Sequence, residues 1–387
     1  MDATDLGCLM DFANTIPDPR RHNAVHPLPS IVAIMLLATI GGSDTFTQIA
    51  DWARTHEGFL SDALDLPRGI PSHDTIGRVM RVLEPDGAEA FFQRYARHLA
   101  EHGATQPTVE SIRVGEGPIK RLAVDGKTCR GSLDAAAGRS ATHMVSAFCS
   151  DSGLSLGQLA TDAKSNEITA IPELLKMLDL KNYAVTIDAA GCQKQIVSTI
   201  TERGGDFLLQ VKANQPGMLD AIRGAFVDHE PLAEAGEPVE KAHGRVETRT
   251  AATLDAGDVD FDWSDWPKVA AVVRVTAARV VGEKASGSAR YYITSLPAGD
   301  AEDLLSRTRG HWAVENQLHW SLDVSFGDDR SRARKDHAAE NLSRFKRLAL
   351  GLLKRAEGPY GKMSIDRKRK VATGDPGYAA RVALGQA

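Results

Sequence analysis

NYAVTIDAAG, residues 182–191, and RLAVDGKT, residues 121–128, carry the pattern that decides the fold. Each is a short apolar run that ends at an aspartate, Asp188 or Asp125, with a turn-forming glycine after it. A run of about five β-prone residues closed by an acid and a glycine reads as a buried strand. A third acid lies far downstream in RGHWAVENQLHWSLDVSFGDDRSRAR, residues 309–334. Read as an α-helix, this stretch places Glu315 between His311 and His319 at i−4 and i+4, so the three stack on one face. Trp312, Asn316 and Trp320 form the neighbouring row, and the basic run Arg330, Arg332, Arg334 and Lys335 follows.

Two strand-end aspartates and one helix-borne glutamate offer three hard oxygen ligands, the type suited to Mg2+ or Mn2+. Two such ions about 4 Å apart activate a water and stabilise the leaving oxygen in phosphodiester cleavage. The segments around these acids resemble the DDE transposases of bacterial insertion sequences, in the branch of the H-repeat-associated proteins. The resemblance rests on ordered matches over most of the chain: GIPSHDTIGRV (69–79), AVDGKTCRGS (123–132), HMVSAFCS (143–150), TDAKSNEITAIPELL (161–175), TIDAAGCQKQI (186–196) and FLLQVKANQP (207–216). HGRVETR (243–249), RYYITSL (290–296), HWAVENQLHWSLDVSFGDDRSRAR (311–334) and AAENLSRFKRLALGLLK (338–354) complete them. It implies an α/β fold: an RNase H-like mixed sheet with flanking helices, an inserted mainly-β subdomain and an N-terminal helical domain. It also implies Asp125, Asp188 and Glu315 as the metal-binding triad, with the two aspartates on strands that are neighbours in the sheet. The wider superfamily often shows Tyr, Arg, Glu and Lys around the catalytic Glu; the matching positions here are Thr308, His311, Glu315 and Leu322. Only the Glu is kept, as in the HWxxEN pattern of the H-repeat branch, and Arg309, His311 and His319 are candidates to hold the DNA end instead.

Composition bounds the alternatives. The chain has 387 residues, room for two or three domains. Its 42% hydrophobic and 25% charged content is that of an ordinary globular protein. The longest apolar stretch, Ile31 to Ile40, is too short to span a membrane and reads as a buried helix. The acidic N-terminus lacks the basic region of a signal peptide. Cys8, Cys129, Cys149 and Cys192 show no CxxC spacing, which suits a reducing cytoplasm and argues against zinc ribbons and disulfide scaffolds. The net charge of −5 counts at first against DNA binding. Between Leu305 and Lys370, however, 16 Lys or Arg stand against 8 Asp or Glu, a local excess of the kind that phosphate contacts need. A solvated helix face is the plainer reading of that run.

Residues 1–105 read as helical, possessing helices opened by Pro29-Ser30, by Ser43 or Asp44, and by Ser72 before Ile76, Val79, Met80 and Leu83. A further amphipathic helix runs through Phe91, Phe92, Tyr95 and Leu99. This region is either a helical cap or a partner in DNA binding. Residues 106–118 suit a linker. The core's first part, 119–214, reads as strands at 121–125, 142–149 and 154–161, a helix from about Ser165, the Asp188 strand, a helix from Gln193 to Arg203 and a strand at 206–211. Between Asp188 and Glu315 lie 126 residues, too many for one crossover, and 215–300 reads as a β-rich insertion. Residues 301–357 return to the core, and 358–387 read as a basic, partly mobile tail.

Alone, each acid has a plainer role, as a turn former or a surface helix residue; together, inside these segments, they are the catalytic and metal candidates. His311, Glu315 and His319 also admit a zinc site, but no other His/Cys motif supplies its remaining ligands. DNA contacts are expected from Lys127, Arg130, Lys212, Asn214, Gln215, His243, Arg245, Arg309, His311, His319, Arg330, Arg332 and Arg334, each against a solvated or turn-forming alternative. His143 is expected to be structural, Asp323 to cap or pair with an arginine, and Trp312 and Trp320 to anchor the core. The function implied is Mg2+- or Mn2+-dependent cleavage and strand transfer at terminal inverted repeats, with two ions. DNA is the partner, a homodimer on the DNA ends is one arrangement, and no membrane is involved. A metal-dependent nuclease that cuts without joining, and a non-catalytic DNA-binding relative, are the alternatives.

Overall fold

The computed structural model describes residues 6–21, 24–102, 118–161, 167–242, 245–282 and 284–387. The expected linker, apart from Pro118, therefore lies outside the described residues, as do His243 and the start of the helix expected from Ser165. The strands are β1 (Lys120–Thr128), β2 (His143–Cys149), β3 (Leu154–Thr161), β4 (Tyr183–Ile187), β5 (Asp206–Val211), β6 (Ala233–Gly236), β7 (Glu240–Ala242), β8 (Arg245–Asp255), β9 (Ala271–Val281) and β10 (Lys284–Thr294). The chain divides into two compact units: Met1–Ile112 with Gly126–Glu167 and Glu315–Ala387, and Arg113–Asp125 with Ile168–Val314.

The first unit is mostly helical. Helix Leu28–Ile40 is buried almost all round, as a helix without a polar face must be. It packs on helices Gly7–Ala13, Phe46–Thr55, Ala338–Arg355 and Pro376–Ala383. Helix Phe46–Thr55 is capped by Thr45, and neither Ser43 nor Asp44 takes that role. The reason is Gln48, whose side chain accepts from the Thr45 backbone N at 3.2 Å while Thr45 Oγ1 accepts from Gln48 N at 3.3 Å, completing a capping box. Ser72 does cap helix His73–Val82, its hydroxyl accepting from Thr75 N at 3.2 Å. Ile76, Val79, Met80 and Leu83 are buried at the predicted spacing. Helix Pro85–His102 buries Phe91, Phe92, Tyr95 and Leu99 in the same way. Strands β2 and β3 form an antiparallel pair, with a register shift at Ala147/Phe148.

Helix Ala338–Arg355 changes the meaning of the basic excess. Arg344, Lys346 and Arg347 are all 1% exposed or less. Arg344 pairs with Glu89, Lys346 with Asp328, and Arg347 donates to Ser146 and Ser343. Buried cations need such partners, so these three are structural and add nothing to a DNA-binding surface. The segment from Gly358, expected as a mobile tail, is folded. Its helices Ile365–Gly374 and Pro376–Ala383 are packed in, Tyr95 donates to the Ala383 carbonyl at 2.7 Å, and Lys368 donates to the carbonyls of Leu353 and Ala356. Hydrophobic residues Ala372, Tyr378, Ala379, Val382 and Ala383 in this segment bury a face that composition alone disguised.

The second unit is built on a mixed sheet ordered β1-β4-β5-β10-β9-β8-β6, with β7 on β8. β1, β4 and β5 are parallel; β10 runs antiparallel to β5, and β10, β9, β8 and β6 continue antiparallel. Crossover helices Glu167–Lys176 and Lys194–Glu202 link the parallel strands, in the α/β pattern of an RNase H-like core. The inserted strands thus extend the core sheet. The region from 215 also opens with a helix, Pro216–Asp228, that the β-rich expectation did not include. Ala184, Leu208, Ala251, Val273, Val275, Tyr292, Leu296, Leu304 and Leu305 form one apolar core, contributed by both the parallel strands and the insertion.

Candidate active site

Asp125 and Asp188 are brought side by side by strand register. β1 and β4 pair in parallel with Val124 opposite Ile187, so the next residue on each strand is the aspartate. Leu122, Ala123 and Val124 on one strand, and Ala184 to Ile187 on the other, are buried. Asp125 is half-buried and Asp188 exposed, as an ionised carboxylate in the apolar interior would be costly. Asp125 does not end its strand as expected: β1 continues to Thr128. Neighbouring strands lie roughly 4.8 Å apart, which brings the two carboxylates to one edge of the sheet.

Local hydrogen bonds aim Asp188. Its Oδ1 accepts from Ala190 N at 3.0 Å and Gly191 N at 3.4 Å, capping the short 3-10 turn Ala189–Gly191. A Cβ at Gly191 would stand 2.2 Å from Ile187 Cγ2, so the turn requires glycine. Asn214 donates to Ala189 O at 2.9 Å and Gln215 to Cys192 O at 3.0 Å. Their amides tie the loop after β5 to the loop that follows Asp188. Lys212, next to them, is exposed.

His311 follows helix Ala301–Gly310 and lies over β4, its Nδ1 3.2 Å from Thr186 Oγ1. Burial lowers its pKa, against the pull of the nearby Asp188 charge, so the ring is held neutral. Arg309, one residue earlier, is engaged by Glu237 Oε2 at 2.9 Å and Glu240 Oε1 at 2.8 Å.

Glu315, in the other unit, does not sit on a regular α-helix. Val314–His319 is a single π-helical turn that leads into helix Trp320–Phe326. The predicted single face through His311, Glu315 and His319 therefore fails, since helix Ala301–Gly310 stops before it and the π turn shifts the register. Single π turns of this kind recur at functional sites. Val314, Leu318, Leu322 and Phe326 form the buried stripe, which leaves Glu315 exposed. The same stripe puts Trp312 and Trp320 outside, 48% and 61% exposed, so the expectation that they anchor the core is corrected. His319 is half-buried, and desolvation with the nearby Arg347 and Lys127 charges pushes its pKa down to about 3.

Lys127 is 8% exposed and paired with Asp323 at 2.7 Å, so the expectation that it meets phosphate is corrected as well. Asp323 pairs, as expected, but with this lysine in place of an arginine. His143 is buried, its Nδ1 2.9 Å from Thr128 Oγ1 and its Nε2 3.7 Å from Glu167 Oε2, in line with a structural role. Sequence reasoning singled out neither Glu167 nor Thr186; both are ordinary by motif and acquire partners only through long-range packing. Arg130, 81% exposed, Arg330, Arg332 and Arg334 do reach the surface, Arg334 also donating to Gly131 O at 3.1 Å. Of Arg245 only the backbone, in β8, is described. Among the described residues no group of three or more His, Cys, Asp or Glu is assembled as a metal cage, which includes the zinc arrangement.

Comparison with known proteins places the chain in a family. The model of the transposase DDE domain matches residues 116–352, and that of the DDE_Tnp_1-associated region matches residues 10–96. The chain is 37% identical over 370 residues to "Putative transposase YncI" of Escherichia coli O157:H7, covering 94% of this chain and 90% of that one. It is 37% identical over 396 residues to "H repeat-associated putative transposase YhhI" of Escherichia coli strain K12, covering 98% and 99%. Among solved structures, the piggyBac transposase synaptic complex with hairpin DNA aligns at a TM-score of 0.42 and 8% identity, over 96% of this chain and 78% of that one.

Proposed function

This chain belongs to the DDE transposase family, and from that premise we propose that it binds the terminal inverted repeats of its own insertion sequence and cuts and joins DNA in a Mg2+-dependent reaction. The observation that carries the reading is the register that sets Asp125 of β1 beside Asp188, the residue just past β4. Carboxylate oxygens are the donors that Mg2+ or Mn2+ prefers, and Asp188 commits only Oδ1 to backbone N–H groups. Asp125, Asp188 and Glu315 are the acids assigned to hold the metal, with two ions the expected complement. When bound, such ions activate water and stabilise the leaving oxygen.

The chain's own groups orient the reaction. Ala190 and Gly191 N–H hold the Asp188 carboxylate in one rotamer, and Asn214 and Gln215 brace its loop. His311, neutral, keeps a hydrogen-bonding ring beside Asp188 without adding a competing cation. Exposed Arg130, Lys212, Arg330, Arg332 and Arg334 are assigned to the DNA backbone, contacts that position without reading sequence. Hydrolysis at the element end leaves a 3′-OH that attacks target DNA in line, and no protein nucleophile is required. Among the described residues no helix is long and apolar enough to cross a membrane.

The test is cleavage of labelled DNA carrying the flanking repeats, with Mg2+ or EDTA, by wild type and Glu315→Gln. End-specific, Mg2+-dependent cutting that the variant loses while still binding DNA is the expected result. Cutting that survives the substitution would overturn the assignment of Glu315. Cleavage that persists while pre-cleaved ends give no joined product in a strand-transfer assay would favour the nuclease reading.

A further inference from the structure

Lys127 lies two residues past Asp125, where an exposed cation would meet a phosphate. It is instead buried, with Nζ 2.7 Å from Asp323 Oδ1, 2.8 Å from Asp323 Oδ2 and 3.5 Å from Asp329 Oδ1. Asp323 belongs to helix Trp320–Phe326, which continues the π-helical turn that bears Glu315. Asp329 also reaches the strand-following segment, accepting from Arg130 N at 3.3 Å. Lys127, Asp323 and Asp329 all belong to the first unit, so this cluster is internal to it.

Two acids on one short stretch are thus treated differently. Asp323 has both oxygens on the Lys127 ammonium, whereas Glu315 makes no side-chain hydrogen bond or ion pair among the described residues. Lys127 is buried and Asp323 half-buried, so the pair is a poor source of net stability, but it specifies geometry, because removing Asp323 leaves the buried ammonium with only Asp329 at 3.5 Å. We propose that Lys127 and Asp323 are a positioning pair: they lock helix Trp320–Phe326, and with it the π turn that carries Glu315, onto the last residues of β1. This rests on the assignment of Glu315 made above. Lys127 therefore acts through Asp323 and does not touch DNA.

Amide hydrogen exchange of residues 314–326 in the metal-free full-length protein tests the pair without relying on activity. Lys127→Met and Asp323→Asn should each speed exchange of that segment roughly tenfold, and the double variant should be no faster than either single, as for residues that act as a unit. Asp323→Asn changes no volume and serves if the Met variant fails to fold, which far-UV circular dichroism reports. In the cleavage assay both variants should lower kcat with little change in DNA Kd. Unchanged exchange in both variants, additive effects in the double variant, or weakened DNA binding with normal exchange would each overturn the proposal. If the wild type shows no Mg2+-dependent cleavage, the functional reading fails while the exchange experiment still decides the pair.

Discussion

Replacing Glu89 by alanine removes one member of a deeply buried ion pair in the first unit. Glu89 and Arg344 have side chains 2% and 1% exposed, with Arg344 Nε 2.9 Å from Glu89 Oε2. Glu89 Oε1 also accepts from Gln158 N of β3 at 2.8 Å and from Gln93 Nε2 at 3.1 Å. Burial pushes the Glu89 carboxyl pKa up and the Arg344 charge pulls it back, so the pair depends on both members. Stranding one buried partner costs about 3–5 kcal/mol. Arg344 would keep Glu340 and Asn341, each at 3.2 Å, which favours the lower end of that range. The Gln158 N–H, left without an acceptor, adds about 1–3 kcal/mol. We expect Glu89→Ala to lose about 4 kcal/mol, read as a shift in urea midpoint at constant m-value by far-UV circular dichroism. The double variant Glu89→Leu, Arg344→Met should recover the ion-pair part of that loss, leaving about 1–3 kcal/mol for the Gln158 N–H that still lacks its acceptor. A loss below about 1 kcal/mol in the single variant, or a double variant as unstable as the single, would refute the reasoning.

Three further outcomes follow from other sites. Burial lowers the Lys354 pKa to about 8, so between about pH 8 and its ordinary value of 10.5 the unfolded chain binds the extra proton and stability rises with pH. The penalty is fully present below about pH 8, so Lys354→Met should gain more in urea midpoint at pH 7 than at pH 10, and an equal gain at both would count against it. A Cβ at Gly126 would stand 2.2 Å from His143 Nε2 and 2.3 Å from Glu167 Oε1, so Gly126→Ala should cost about 1–3 kcal/mol, with an unchanged melting temperature as the contrary result. Trp320→Ala should alter stability by no more than about 0.5 kcal/mol because that ring is 61% exposed, and a larger thermal shift would contradict its placement outside the core.

The sequence by itself determined the local elements and the acids near their ends. The apolar run before Asp188 could only be a short strand, and β5 begins and ends at the predicted residues, 206 and 211, because side-chain pattern and turn residues are read within a few positions. The Ser72 cap and the helical spacing of the N-terminal region were legible for the same reason. Tertiary structure alone decided what those elements do to one another. The adjacency of Asp125 and Asp188 depends on β1 pairing with β4 across more than fifty intervening residues, and no local period encodes a pairing of that range. Arg344 and Arg347 read as surface cations until the packing of helix Ala338–Arg355 gave them buried partners. The π turn at Glu315 likewise escapes an α-helical reading: the stripe Val314, Leu318, Leu322 and Phe326 suits a continuous helix, and only the packing that seats it fixes where the extra residue is taken up. Lys127 shows the same division, since a lysine after a strand-end acid is a phosphate ligand or an internal cation according to what lies above it, and here Asp323 does.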